Sequence, residues 1–223
     1  MGTRRRIWTG IGLAAACLLL AVLPATIASA DASPLSDATA GASARVGLRP
    51  SVVRLGQRAG IVVHVPARSV QVLLKGATDE TGSPLQWQSL RLVNGAWRGS
   101  LPAPALYGVY PIVLRVGGAH YVESPTWLLR VYEPGTTARP SFEDPVEVAD
   151  WWVQTVPGGT LVAVKEWPRP DFDLRDPGLH RLFVVAYSPL DDPNAEDLLG
   201  TFVTAVRDGY NGRWRFLEAS LQP

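Results

Sequence analysis

Apolar and polar positions alternate with a period of two along much of the chain after Arg45, and this alternation predicts β-strands. The clearest runs place three or four apolar side chains on one face, and they span residues 61–65, 70–74, 110–116 and 127–131. Turn residues separate such runs at intervals of about 8–12 residues, as is typical of sandwich proteins. We therefore predict an antiparallel β-sandwich with roughly seven strands.

The apolar face changes parity between residues 85 and 92. Leu85 and Trp87 occupy odd-numbered positions, whereas Leu90 and Leu92 occupy even-numbered positions. A strand that changes its buried face in this way needs one extra residue, so we predict a β-bulge near Gln88–Ser89. The following Asn94-Gly95 pair accepts the positive φ angles of a type I′ turn and predicts a tight hairpin.

Several segments in this region resemble bacterial immunoglobulin-like modules. Residues 49–57 and 61–65 resemble the opening strands of such modules, whereas 94–97 and 107–112 resemble their later hairpin and Gly-x-Tyr corner. The resemblance implies an immunoglobulin-like sandwich over residues 45–133. It leaves the activity open, because these modules serve as spacers, adhesive surfaces and substrate-binding accessories.

A different pattern begins after a linker at residues 134–143. Asp144 suits an N-cap, Pro145 suits the first helical position and Glu147 completes a capping box, so a helix from Pro145 to Gln154 is predicted. Its apolar stripe consists of Val146, Ala149, Trp152 and Val153.

Four further strands are predicted beyond the helix, and they cover 160–167, 180–188, 200–207 and 213–221. One helix followed by a four-stranded antiparallel meander makes a small α+β domain over residues 144–223. Its closing hairpin faintly resembles the cone-shaped domains typified by nuclear transport factor 2, although those domains usually carry more helix. The predicted fold is thus mostly β, with a sandwich followed by an α+β unit.

The first 30 residues are predicted to form a secretory signal peptide. Arg4, Arg5 and Arg6 precede an apolar stretch at 7–23, and cleavage is expected after Ala30. A flexible spacer at 31–44 follows, so we expect a secreted or cell-surface protein without a membrane span after cleavage. Two alternatives stay open: an uncleaved N-terminal anchor, and export by the twin-arginine rather than the general secretory route.

Charge and cysteine content exclude several classes of partner and chemistry. After residue 30 the chain holds 18 basic and 20 acidic residues, so its net charge of −2 gives no reason to expect nucleic acid. The single cysteine, Cys17, lies in the signal peptide. The mature chain therefore has neither disulfides nor thiol chemistry, and its own core must stabilise it.

No motif of a known catalytic class is present. The three histidines, His64, His120 and His180, are far apart and match no zinc-ligand spacing. Neither a Gly-x-Ser-x-Gly elbow nor a phosphate-binding glycine loop occurs. We predict a protein that is not an enzyme and has no catalytic residue. A secreted hydrolase with an unrecognised site on the concave face of the second sheet is the alternative.

Two acidic loops are candidates for binding Ca²⁺, because clustered oxygen ligands are what this ion requires. The candidate ligands are Asp171, Asp173, Asp176, Asp191, Asp192 and Asp197. Arg175 replaces the third acid of a calcium loop, so ordinary solvated turns are the competing interpretation. No cofactor is predicted, with Ca²⁺ left open.

Tryptophan is the clearest excess in the composition, with seven in the mature chain. Trp97 follows the predicted hairpin tip and Trp151 points away from the helix stripe, so both are predicted to be exposed and to bind a partner or a glycan. We predict a non-enzymatic, exported binding or assembly protein that acts at the cell envelope or outside the cell, and whose partner is an envelope protein or glycan. A carbohydrate-binding accessory role is an alternative, and the oligomeric state is undetermined.

Overall fold

The computed structural model describes residues 44–156, 160–168, 174–188 and 199–221, and strands dominate it. The described residues form an N-terminal β-sandwich and a C-terminal α+β lobe, which confirms the predicted fold class. Both lobes belong to one compact unit. The predicted signal peptide and nearly all of the spacer lie outside the described residues.

Two sheets of the N-terminal lobe enclose its core. The strands are β1 Arg45–Arg49, β2 Val52–Val53, β3 Ala59–His64, β4 Val70–Leu74, β5 Gln88–Ser89, β6 Arg91–Val93, β7 Ala96–Leu101, β8 Gly108–Val116 and β9 His120–Val131. Strands β1, β3, β7 and β6 form one sheet in that order, and β2, β9, β8, β4 and β5 form the other. This order is that of an immunoglobulin sandwich with extra edge strands.

The predicted alternation of apolar residues holds in the sandwich core. Ile61 of β3, Val72 of β4 and Leu114 of β8 are all buried there, and Leu129 of β9 packs in the same cluster. Tyr110 of β8 is also buried, and its hydroxyl donates a 2.8 Å hydrogen bond to the carbonyl of Leu106. This bond is the tyrosine corner of immunoglobulin-like domains, as the Gly-x-Tyr resemblance implied.

The predicted β-bulge at Gln88–Ser89 is wrong, because the chain changes sheets there. β5 pairs with β4 in one sheet, whereas β6 pairs with β7 in the other, and the buried Leu90 bridges them. Leu92 is 59% exposed because β6 is an edge strand that extends beyond the core. The predicted hairpin is confirmed by positive φ angles at Asn94 (51°) and Gly95 (73°).

The C-terminal lobe has the predicted helix and four-stranded meander. Its elements are α1 Val146–Thr155, β10 Thr160–Glu166, β11 His180–Ser188, β12 Leu199–Arg207 and β13 Trp214–Leu221. The four strands pair in sequence order, each antiparallel to the next. In the part of the chain described, no helix is both long enough and apolar enough to cross a membrane.

Helix α1 begins as its sequence predicts. The Asp144 carboxylate accepts a 2.9 Å hydrogen bond from the Val146 amide, which is the bond of an N-cap residue. Val148, Ala149 and Val153 are buried against the sheet. Val148 was missing from the predicted stripe, because the face that packs on a sheet is wider than a strict a/d seam.

A buried apolar cluster joins the two lobes. Val109, Leu128 and Tyr132 of the sandwich pack with three residues of the other lobe, namely Leu179, Val206 and Leu217. A buried hydrogen bond between main chain and side chain reinforces this joint: the Val109 amide donates to Nε2 of His180 at 3.0 Å.

Asp208 provides a second polar contact at the joint. Its carboxylate accepts hydrogen bonds from the Tyr132 hydroxyl at 2.9 Å and from Nε of Arg215 at 3.0 Å. Arg130 of the sandwich donates to the Asp208 carbonyl at 2.6 Å. Because buried polar groups are satisfied across the joint, we expect the two lobes to behave as one folding unit.

Candidate functional site

Trp97 is not the exposed residue that the sequence predicted. Only 7% of it is exposed, and it packs in the sandwich core with Ile61 and Leu101. Side chains alternate along β7, so Trp97 and Leu101 face the core while Arg98 and Ser100 face outward. The exposure prediction was wrong because the turn ends at Gly95, so Trp97 is the second residue of β7 and lies on the face that points into the core.

Trp151 is half-buried at the surface of α1. Its ring lies 6.4 Å from that of Phe142 and 5.9 Å from that of Phe216, both measured between centroids. These contacts fix the indole against the C-terminal lobe and leave part of it accessible. The prediction that Trp151 contacts a partner stays a prediction.

Five of the six calcium candidates, Asp171, Asp173, Asp191, Asp192 and Asp197, lie outside the described residues.

The sixth candidate, Asp176, is already engaged within the fold. It accepts hydrogen bonds from the Gly178 amide at 2.7 Å and from the Tyr210 hydroxyl at 2.8 Å. Burial and the bond to this carboxylate raise the pKa of Tyr210 to about 12. Within the described ranges, no group of three His, Cys, Asp or Glu residues could hold a metal ion. Calcium binding stays a prediction.

The C-terminal lobe has an open cavity of about 420 Å³ beside β11, lined partly by Glu166, Trp167, His180 and Arg181. Arg181 is paired with Glu166 at 2.6 Å. The His180 ring is buried and uses both nitrogens, Nε2 for the Val109 amide and Nδ1 for the Asp176 carbonyl at 3.1 Å. This imidazole therefore has a structural role in the joint between the lobes.

A strongly basic surface covers the outer face of the β1-β3-β7-β6 sheet. We call it the arginine face, and it consists of Arg45 and Arg49 on β1, His64 on β3, Arg98 on β7 and Arg91 on β6. All five side chains are exposed. They share one face because each occupies the outward position of the alternation in its strand.

No acidic residue in the described part of the chain neutralises the charges of the arginine face. None of its four arginines makes a side-chain hydrogen bond or ion pair with another described residue. Arg91 and Arg98 are direct cross-strand neighbours, an arrangement in which like charges destabilise a sheet. Fold stability therefore does not account for this group of charges.

The centre of the arginine face is formed by small side chains. Gly47, Gly60, Val62 and Ser100 lie between the arginines. A depression of about 350 Å³ opens here beside Arg49. A Cβ atom added at Gly47 would meet nothing closer than 3.9 Å, so the floor is open at this position.

The two lobes carry opposite charge, which the near-neutral total conceals. Residues 44–133 hold ten basic and four acidic residues, whereas 134–223 hold eight basic and fourteen acidic residues. A charge count for each predicted domain would have identified this asymmetry from sequence. The count for the whole mature chain did not.

A second surface, the aromatic strip, lies on the outer face of the other sheet. Ser89, Gln71, Arg115 and Tyr121 are cross-strand neighbours on β5, β4, β8 and β9, and successive members are hydrogen-bonded. Trp87 completes the strip, with its ring 4.5 Å from the Arg115 guanidinium carbon. Tyr121 is 61% exposed, so an aromatic ring remains accessible.

Comparison with known proteins adds little about function. No family model matches the sequence, and no curated protein matches it. One similar solved structure is the human OSCAR ligand-binding domain, with 14% sequence identity and a TM-score of 0.25; the match covers 80% of this chain and 97% of that one. A likeness at this TM-score carries no argument, so the immunoglobulin-like assignment rests on the strand order.

Proposed function

We propose that the protein is a non-enzymatic, exported binding or assembly protein of the cell envelope, and that the arginine face contacts its partner. The observation that carries this proposal is the set of four exposed arginines without an acidic neighbour in the described residues. An arginine is permanently charged and presents a planar set of donors that fits carboxylate and phosphate groups. The partner is therefore anionic.

Other observations support the remaining parts of the proposal. The signal-peptide features of residues 1–30 support export. Both His180 ring nitrogens are committed to backbone groups, which supports a role other than catalysis for this histidine of the open cavity beside β11.

Co-sedimentation of purified protein with envelopes of the source organism tests the binding surface. The variant Arg45→Gln/Arg49→Gln removes two charges from the arginine face, and Arg181→Gln/Arg213→Gln removes two from exposed positions of the other lobe. We expect the first variant to lose most of the bound fraction and the second to keep it. Wild-type binding should also fall with added salt. Equal loss in both variants would refute the arginine face as the binding surface.

Export has its own test. Sequencing the N-terminus of protein recovered outside the cytoplasm should give Asp31 as the first residue. Recovery of intact protein in the cytoplasm alone would contradict export.

Carbohydrate binding through the aromatic strip is a second candidate function. Exposed aromatic rings stack on the apolar faces of sugars, and Gln71 and Arg115 could bond hydroxyl groups beside Tyr121. Binding to neutral glycans that disappears in Tyr121→Ala and persists in Arg45→Gln/Arg49→Gln would establish this candidate instead.

A further inference from the structure

We infer that the arginine face binds an acidic polysaccharide, a linear sugar polymer carrying carboxylate or phosphate groups, which lies along the sheet over β3. This inference rests on the proposed function and specifies the partner. The polymer would run between Arg45 and Arg49 on one side and Arg98 on the other, with Val62 of β3 beneath it and its cross-strand neighbour Gly47 at the β1 side of the floor.

The spacing of the arginines favours a ligand with several charges. Arg45 and Arg49 are four residues apart on β1, so their attachment points on the backbone are about 13 Å apart. β1 and β7 are separated by β3, so the attachment point of Arg98 lies two strand spacings away, about 10 Å. A single carboxylate or phosphate would have to draw these side chains together against the mutual repulsion of their charges. A ligand whose anionic groups are distributed over a comparable length can contact all three arginines while they stay apart.

The floor of the arginine face favours a chain that lies flat. Gly47 presents no side chain, and the depression of about 350 Å³ extends from it past Val62 to His64. His64 and Ser100 add hydrogen-bonding groups beside the arginines, and both are exposed. Sugar hydroxyl groups can use such side chains, while the arginines bind the acidic substituents.

Other extended polymers fit this surface less well. Peptides that bind sheets gain affinity by hydrogen-bonding to a free edge, which in this sheet is β1 or β6, whereas a ligand lying over the outer face of β3 meets a strand that is paired on both sides. Single-stranded nucleic acids need broad aromatic platforms for their bases, and the outward positions of these four strands hold no Phe, Tyr or Trp. A sugar polymer needs neither feature.

Isothermal titration of purified protein with defined probes tests the inference. The acidic probes are polygalacturonate, which carries carboxylates, and a linear phosphomannan, which carries phosphates. Neutral dextran and monomeric galacturonate are the negative controls for charge and for length. We expect binding to at least one acidic polymer, and at least tenfold weaker binding to the monomer; the two polymers decide between carboxylate and phosphate.

Three variants test the position of the polymer. Gly47→Val adds volume to the floor without changing charge, and a β-branched residue should not lower the melting temperature of a strand. We expect it to weaken binding about tenfold, and Arg45→Gln/Arg49→Gln to weaken it further. Arg181→Gln/Arg213→Gln should bind as the wild type does.

The outcomes separate this inference from the proposed function. Acidic-polymer binding that is insensitive to Gly47→Val would overturn the inference. So would binding to poly-glutamate, or to phosphatidylglycerol vesicles, as tight as binding to either acidic polysaccharide. The proposed function survives those results if Arg45→Gln/Arg49→Gln still abolishes binding. Failure of every anionic probe, together with unchanged envelope binding in that variant, would overturn both.

Discussion

Removing the hydrogen bond between Tyr132 and Asp208 should destabilise both lobes at once. Tyr132 is 2% exposed, and its hydroxyl donates to the Asp208 carboxylate at 2.9 Å. A hydrogen bond to a charged group contributes about 1.5–3 kcal/mol. Asp208 is only partly covered, with 35% of its side chain exposed, so we expect Tyr132→Phe to cost about 1.5 kcal/mol.

Removing the acceptor of this hydrogen bond should lower the free energy of unfolding more than removing its donor. Asp208→Ala leaves the buried Tyr132 hydroxyl without this acceptor, which costs about 1–3 kcal/mol, and it also removes the acceptor of Arg215 Nε. We therefore expect a loss of about 3 kcal/mol. In the double variant the orphaned hydroxyl is absent, so the losses should fall short of additivity by about 1–2 kcal/mol.

Urea unfolding, followed by tryptophan fluorescence and by far-ultraviolet circular dichroism, measures the free energy of unfolding of the wild type, the two single variants and the double variant. Both probes should report one shared transition whose midpoint shifts in each variant, because the two lobes share a buried cluster. Tyr121→Phe, on the exposed aromatic strip, should change the free energy of unfolding by less than about 0.5 kcal/mol. Additive losses, or two separate transitions of which only one responds, would refute the assignment of a single cooperative unit.

Three further predictions concern single residues whose surroundings the structure defines. The pKa of the Tyr210 hydroxyl is raised from 10 to about 12 in the folded state, so the stabilisation it contributes is fully present below pH 10 and is lost as the pH rises from 10 to 12. Between pH 10 and 12 the free energy of unfolding, measured by urea unfolding, should therefore fall less steeply with pH in Tyr210→Phe than in the wild type. Trp97→Ala should cost about 3–5 kcal/mol in urea unfolding, as expected of a core residue, and a stable variant with altered binding would contradict its burial. Gly76→Ala should lower the free energy of unfolding by about 2 kcal/mol or more, because φ is +73° and the new Cβ would lie 2.3 Å from the Leu174 carbonyl oxygen. Gly56→Ala is the control: φ is +74° there but no neighbour lies within 4 Å, so it should lose about 1 kcal/mol from backbone strain alone.

The candidate binding site could be predicted from sequence only in its parts. Each outward arginine can be identified from alternation in its own strand, and Arg45 and Arg49 follow from β1 alone. Arg98 joins them only because β3 lies between β1 and β7, which places residues about 50 positions apart on one surface. The excess of tryptophan led to the prediction that Trp97 is exposed and binds a partner, but Trp97 is buried. A shift of one residue along a strand decides whether a side chain faces the core or the solvent.

Local patterns determined most of the secondary structure. The Asp144 cap, the Asn94-Gly95 turn and the four strands of the meander depend on residues a few positions apart, so the sequence alone predicts them. The tertiary structure decided which strands became neighbours, including the change of sheets at Leu90 and the joint around Asp208. Sheet order depends on how distant segments pack together, and the electrostatic field depends on distances in space. The basic face on a nearly neutral chain is therefore a property of the fold.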